Sequence, residues 1–242
     1  MFYSRIPVPK SLGFSNEILN RSTRYLTLVG LVIGSIGAGV FLALDFILPQ
    51  GLALLFSMLA TIFVTGAFHE DGFADFCDGF GGGASPEKIL LIMKDSRVGT
   101  YGIIGILGIL GVKFLSLDAL PSSLIPLTLV AGHAYSRLMP VLIIFTSDYA
   151  RPDATSKIKA VGKRGKYSDL AIASAFALPM LILFPWQLAV FSLPILLLTA
   201  WIFKKYIEKK INGYTGDCLG ALQQISEVLF YIIILVIINF TY

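Results

Sequence analysis

The chain has 242 residues, 56% of them hydrophobic and 14% charged, and a net charge of +4 from 19 basic and 15 acidic side chains. Soluble domains carry roughly 45–50% apolar and about 25% charged residues. These figures therefore exclude a secreted domain, a disordered tail and a soluble enzyme, and leave a polytopic membrane protein. Cys77 and Cys218 match no disulfide framework or zinc spacing, and the basic excess reads as a topology signal rather than a nucleic-acid footprint.

A spanning helix needs about 20 apolar residues. Seven runs are the candidates, in chain order 26–44, 51–68, 101–117, 124–145, 170–184, 186–203 and 228–240. The first starts late and is long enough to span, so no cleavable signal is expected. Pro185 divides 170–203, which has the alternative of one long kinked element. The expected fold is all-α: one integral membrane helical bundle over 1–242, with about seven transmembrane helices and a short cytoplasmic amphipathic helix. Of the 19 basic residues, 17 fall in four segments: the first 25 residues, 69–100, 146–169 and 204–227. Seven spans with a cytoplasmic N-terminus place all four segments on the cytoplasmic side and Tyr242 outside. The run 157–166 (KIKAVGKRGK) reads as part of that signal, with contact to anionic lipid or substrate as the alternative.

The second span runs into HEDGFADFCDGFGGG, from His69 to Gly83, which holds Glu70, Asp71, Asp75 and Asp78. At about 100° per residue, Asp75 lies about 40° from Asp71, and Asp78 about 20° to its other side. Three carboxylates so close raise one another's pKa unless a cation sits among them. Each would cost about 2.5–3.5 kcal/mol at the bilayer centre, so they are expected to line a cavity or the interface. An all-oxygen set favours Mg²⁺ or Mn²⁺ over zinc, and His69-Glu70 does not form HExxH. The bland alternative is a solvated acidic loop. A cation-coupled transporter would more often place such acids mid-span.

Gly79, Gly81, Gly82 and Gly83 allow backbone to approach a phosphate, although no P-loop motif is present. Ser85-Pro86-Glu87 reads as the start of a short amphipathic helix ending near Lys94. Lys94 and Arg97 follow as candidate clamps for phosphate oxygens, with Asp95 a further ligand or Lys94 and Arg97 simply interface anchors. A second polar island, 212–220, contains Thr215, Gly216 and Asp217 ahead of the last span. Thr215 and Gly216 are candidates to present a hydroxyl and an amide to an anion, or merely to start a helix. Arg137 lies within the fourth span with His133 one turn earlier. A mid-span Arg normally faces the bundle interior and pairs, so it is expected to face the acidic cavity, a substrate phosphate or a structural partner.

HEDGFADFCDGFGGG, IMKDSRVGTYG, GYTGDCLGALQQISE and the N-terminal FYSRIPVP together resemble the cobalamin synthase family, the adenosylcobinamide-GDP ribazoletransferases. The pieces run through the chain in the family's order. Ser4 stands where the family more often has Thr, and Phe73 where Leu is common; neither touches a candidate ligand. The resemblance implies an enzyme of the prokaryotic cytoplasmic (inner) membrane that joins adenosylcobinamide-GDP to α-ribazole or its 5′-phosphate, releases GMP and requires Mg²⁺. It implies Glu70, Asp71, Asp75 and Asp78 as metal ligands, and Asp75, Asp78 or Asp217 as the group that takes the hydroxyl proton. Lys94, Arg97, Arg137, Gly81, Gly82 and Thr215 would contact substrate. Membrane lipid, other enzymes of the pathway and a second copy of the chain are the further partners it allows, and nucleic acid is not among them. The spaced acids resemble, more loosely, CDP-alcohol phosphatidyltransferases, but Ala74-Asp75 is not followed by the Arg expected there. That lipid enzyme and a cation-coupled transporter are the rival readings.

Overall fold

The apolar runs form helices in the structure, a computed structural model that describes residues 4–7, 21–150 and 167–241. The basic run 157–166 and half of FYSRIPVP (Phe2, Tyr3, Val8 and Pro9) lie outside the described residues. The helices are α1 (Leu26–Asp45), α2 (Gln50–Thr65), α3 (Phe68–Gly82), α4 (Pro86–Ile92) and α5 (Thr100–Asp118). They continue as α6 (Ile125–Ser136), α7 (Leu138–Thr146), α8 (Tyr167–Ala177), α9 (Trp186–Ile211) and α10 (Gly216–Thr241). Short 3-10 turns precede α1 and α6 and extend α8 to Leu183.

Among the described residues, five helical segments are long and apolar enough to span a membrane, and six if α2 and α3 count as one broken span. Residues 167–183 form a shorter apolar helix, which accounts for the expected run 170–184. The side-chain distribution is that of a protein solvated by lipid. Phe63, Leu107, Ile104 and Trp201 point outward, while Lys113, Arg137 and Glu227 are 5%, 1% and 1% exposed. Charges face in because the bundle interior can pair them and hydrocarbon cannot.

Small residues set the closest helix approaches, as van der Waals packing between spans requires. Gly34 of α1 meets Val130 of α6 so closely that an added Cβ would lie 2.7 Å from Val130 Cα. Gly72 of α3 and Gly220 of α10 meet in the same way, with 3.5 Å from a Gly220 Cβ to Gly72 Cα. Backbone-directed side chains hold the frame: Gln50 Nε2 donates to Asp118 O (2.8 Å), Ser57 Oγ to Gly37 O (2.7 Å) and Thr27 Oγ1 to Ala173 O (2.8 Å).

Three expectations change. The expected span 51–68 stops at Thr65, where Gly66 (φ 71°) and Ala67 (φ 56°) turn the chain by 87° into α3. A left-handed Ala is uncommon, so tertiary contacts impose this turn; Arg5 N donates to Val64 O (2.7 Å) beside it. The run 124–145 is divided at Arg137, because Pro140 has no N–H for the Ser136 carbonyl. The expected span 228–240 begins twelve residues earlier, at Gly216. Its polar first half is buried against partners from other helices rather than solvated.

Candidate functional site

The acid-bearing segment is helical throughout, as the spacing predicts, and its faces have different neighbours. Asp71 is exposed and Asp75 half-buried. Gly72 abuts Asp217 across the α3–α10 crossing, with an added Cβ 3.1 Å from Asp217 Cα. Asp217, expected near the acids, is thus brought to the same helix. Thr215 caps α10: Cys218 N donates to its Oγ1 (3.3 Å), and its hydroxyl lies 3.3 Å from Asp217 Oδ2. That is the helix-start alternative for Thr215, and it points the first turn of α10 at α3.

Asp78 does something the spacing does not reveal. Its Oδ2 accepts from Gly99 N (2.7 Å) and its Oδ1 from Gly102 N (2.8 Å). Two donors left over at the start of α5 are satisfied by a carboxylate from another helix, where the helix dipole also favours negative charge. The link fixes the 93–99 loop, and with it Lys94 and Arg97, against the end of α3.

The expected glycine loop is the last turn of α3. Gly79 and Gly81 are occupied from outside, by Met93 Sδ (3.1 Å from an added Cβ) and by the Tyr101 ring (2.7 Å). Gly82 is more open, with Ile92 Cδ1 at 3.6 Å. The glycines therefore serve close packing of α4 and α5 on α3. The short helix α4 starts as expected, Ser85 Oγ accepting from Lys88 N (3.3 Å) with Pro86 first in the helix.

In the loop after α4, Arg97 and Asp95 form a two-pronged pair: Nη2 to Oδ2 is 2.6 Å and Nε to Oδ1 is 3.0 Å. Hydrogen bonds from the Arg97 side chain and backbone pull the Asp95 carboxyl down to about 2, and Asp95 raises Arg97. Lys94 is exposed in the same loop.

A second polar assembly lies inside the bundle. Lys113 Nζ is 3.1 Å from Glu227 Oε1, and Tyr231 Oη and Gln223 Nε2 also donate to Glu227. Arg137 Nη1 donates to His133 O (2.7 Å) and lies 3.1 Å from His133 Nδ1. Arginine has no acceptor, so Nδ1 receives that bond, and its 3.5 Å approach to Glu227 is not a hydrogen bond. Both Glu227 and Glu70 lie within electrostatic reach of Arg137. The cavity beside Lys113, His133 and Glu227 holds about 10 Å³, room for about one water. A nucleotide substrate cannot enter it, and Arg137, 1% exposed, donates to His133 within the bundle. Lys113, Glu227, Gln223 and Gln224 were not among the expected site residues. For Lys113 the available signal is an ionisable side chain inside the apolar run 101–117.

Glu70 joins the two assemblies. Its Oε1 accepts from Gln224 Nε2 (2.8 Å), while its Oε2 is buried with no hydrogen-bond partner. Such an orphaned carboxylate oxygen is costly to bury, and a cation would satisfy it. Among the described residues, no three His, Cys, Asp or Glu side chains form a cage for an ion. Mg²⁺ is commonly held by one or two carboxylates together with substrate phosphates and waters, so the all-oxygen acids of α3 suit it without forming a closed cage.

Residues 1–235 match the family model described as cobalamin-5-phosphate synthase. A protein of Ralstonia pickettii called adenosylcobinamide-GDP ribazoletransferase is 44% identical over 94% of this chain and 90% of its own length. Proteins of the same name from Shewanella frigidimarina (44%, covering 98% and 92%) and Vibrio cholerae (39%, covering 97% and 90%) are similar as well. No solved structure matches the chain.

Proposed function

Because the chain belongs to the cobalamin-5-phosphate synthase family, we propose that it is a membrane-embedded transferase joining adenosylcobinamide-GDP to α-ribazole or α-ribazole 5′-phosphate. A ribose hydroxyl of the ribazole attacks the phosphorus bonded to cobinamide. A new P–O bond forms, the P–O bond to GMP breaks, and the hydroxyl proton passes to a carboxylate. The products are adenosylcobalamin, or its 5′-phosphate, and GMP.

The observation that carries the site assignment is the state of the α3 acids: Asp71 exposed, Asp75 half-buried, and Glu70 Oε2 buried without a partner. These three would hold Mg²⁺. When bound, the ion neutralises charge on the pyrophosphate and on the departing phosphate. Asp75 or Asp217 takes the hydroxyl proton; Asp217 sits at the α3–α10 crossing, against Gly72 of the helix that carries Asp75. Asp78 is the residue that fixes the Lys94–Arg97 loop, and those two cations bind the pyrophosphate oxygens. Gly82 lines the approach, Thr215 caps α10 beside Asp217, and Arg137 acts from inside by balancing Glu70 and Glu227.

The membrane is the cytoplasmic membrane of a bacterium, with the N-terminus and α3 facing the cytoplasm. The clustering of 17 of 19 basic residues in four segments supports this orientation. The test is product formation by purified protein. Cobalamin made from adenosylcobinamide-GDP and α-ribazole is expected; turnover of a CDP-activated lipid instead would replace the assignment.

A further inference from the structure

We propose that Gln224 is a positioning residue that fixes the carboxylate of Glu70, and that Lys113 holds Gln224 in the required orientation. The proposal rests on the reading of Glu70 as a ligand of the divalent cation.

Gln224 is 1% exposed on α10. Its Oε1 accepts from Lys113 Nζ (2.9 Å) on α5, and its Nε2 donates to Glu70 Oε1 (2.8 Å) on α3. An amide can usually be turned over, but this one cannot. Lysine has donors only and an ionised carboxylate acceptors only, so just one orientation satisfies both neighbours. Lys113 is fixed in turn by Glu227 at 3.1 Å, itself held by Tyr231 at 3.0 Å. A chain of polar contacts thus runs from the bundle core through three helices to one carboxylate oxygen of Glu70.

With Oε1 pinned, the plane of the carboxylate is set, and Oε2 is left buried with no partner. Packing does not require this arrangement, since a leucine would fill the Gln224 volume. What only the amide provides is a fixed direction for the second oxygen. Outer groups that orient a metal ligand typically change affinity or activity about 10–100-fold when removed.

The test uses Mn²⁺ alone as the probe, with its binding to purified protein in detergent followed by EPR. Wild-type protein is expected to bind Mn²⁺, and Glu70→Gln to bind it much more weakly. Gln224→Leu, with Glu70 intact, is expected to weaken binding about 10–100-fold and to broaden the bound signal, while KM for α-ribazole stays unchanged. If Gln224→Leu does not fold, Gln224→Met gives the same readout. Wild-type affinity in the Gln224 variant together with loss in Glu70→Gln would overturn the positioning role and keep Glu70 as a ligand. Wild-type affinity in Glu70→Gln, or no binding by the wild type, would remove the ligand reading and the proposal with it.

Discussion

Asp78 on α3 accepts the backbone N–H of Gly102 on α5 at 2.8 Å, and its second oxygen takes Gly99 N–H at 2.7 Å. A residue that its spacing marks as a member of an acidic face is also the N-terminal cap of a neighbouring helix. The acidic face and the cationic loop are therefore mechanically joined.

This bond pair can be tested through stability. Removing a capping oxygen typically costs about 0.5–2 kcal/mol. Asp78→Ala is expected to lower the thermal midpoint in detergent and to raise KM for adenosylcobinamide-GDP by loosening the loop. Asp78→Asn keeps one acceptor and should lie between wild type and Ala. An unchanged midpoint in both variants would mean that the cap contributes nothing.

Asp75→Asn is expected to reduce turnover roughly 10²–10⁴-fold, the range for losing a group that handles the reacting proton, with the protein still folded by circular dichroism and size-exclusion profile. Near-normal turnover would remove Asp75 from the site.

The buried pair of Lys113 and Glu227 makes a separate prediction. Leaving one charge of such a pair unmatched costs roughly 3–5 kcal/mol. Lys113→Met should destabilise by about that amount, and Lys113→Met with Glu227→Gln by less than the sum of the single changes. Strict additivity in thermal unfolding would show that the 3.1 Å contact carries no coupling.

Arg97 is predicted to exchange one anion for another. Asp95 holds it in the free enzyme, so substrate phosphate must displace a carboxylate. Arg97→Ala should raise KM for adenosylcobinamide-GDP, and Asp95→Asn should lower it. The Asp95 carboxyl is held at about 2, below its ordinary 3.8. A depressed folded value means that the pair's stabilisation is complete above the ordinary value and fades as pH falls towards about 2. Between pH 5 and 9 the KM effect of Asp95→Asn should therefore be constant. A KM ratio that changes across that window would point to another titrating group.

Much of this arrangement is legible in the sequence where it depends on local pattern. The run 26–44 becomes α1 to within a residue at its C-terminal end, and 101–117 becomes α5 to within one at each end. The spacing of Asp71, Asp75 and Asp78 places them on one helix, as the structure does. What stays hidden depends on partners far along the chain. Residues 216–227 are too polar to read as part of a span, yet Gln224 and Glu227 are buried because Lys113 lies opposite them. The turn at Gly66 and Ala67 needs a left-handed alanine, which no local propensity favours. Asp78 looks like its neighbouring acids until the start of α5 is brought against it.

The most direct measurement of the central claim is GMP release by the purified protein given adenosylcobinamide-GDP and α-ribazole, with Mg²⁺ or with EDTA, alongside Asp75→Asn. GMP release in step with cobalamin formation, lost with EDTA, restored by added Mg²⁺ and nearly absent in the variant, is expected. Release that persists in EDTA, or that the folded Asp75→Asn protein sustains, would contradict the assignment of the α3 acids as the metal-binding centre of the reaction.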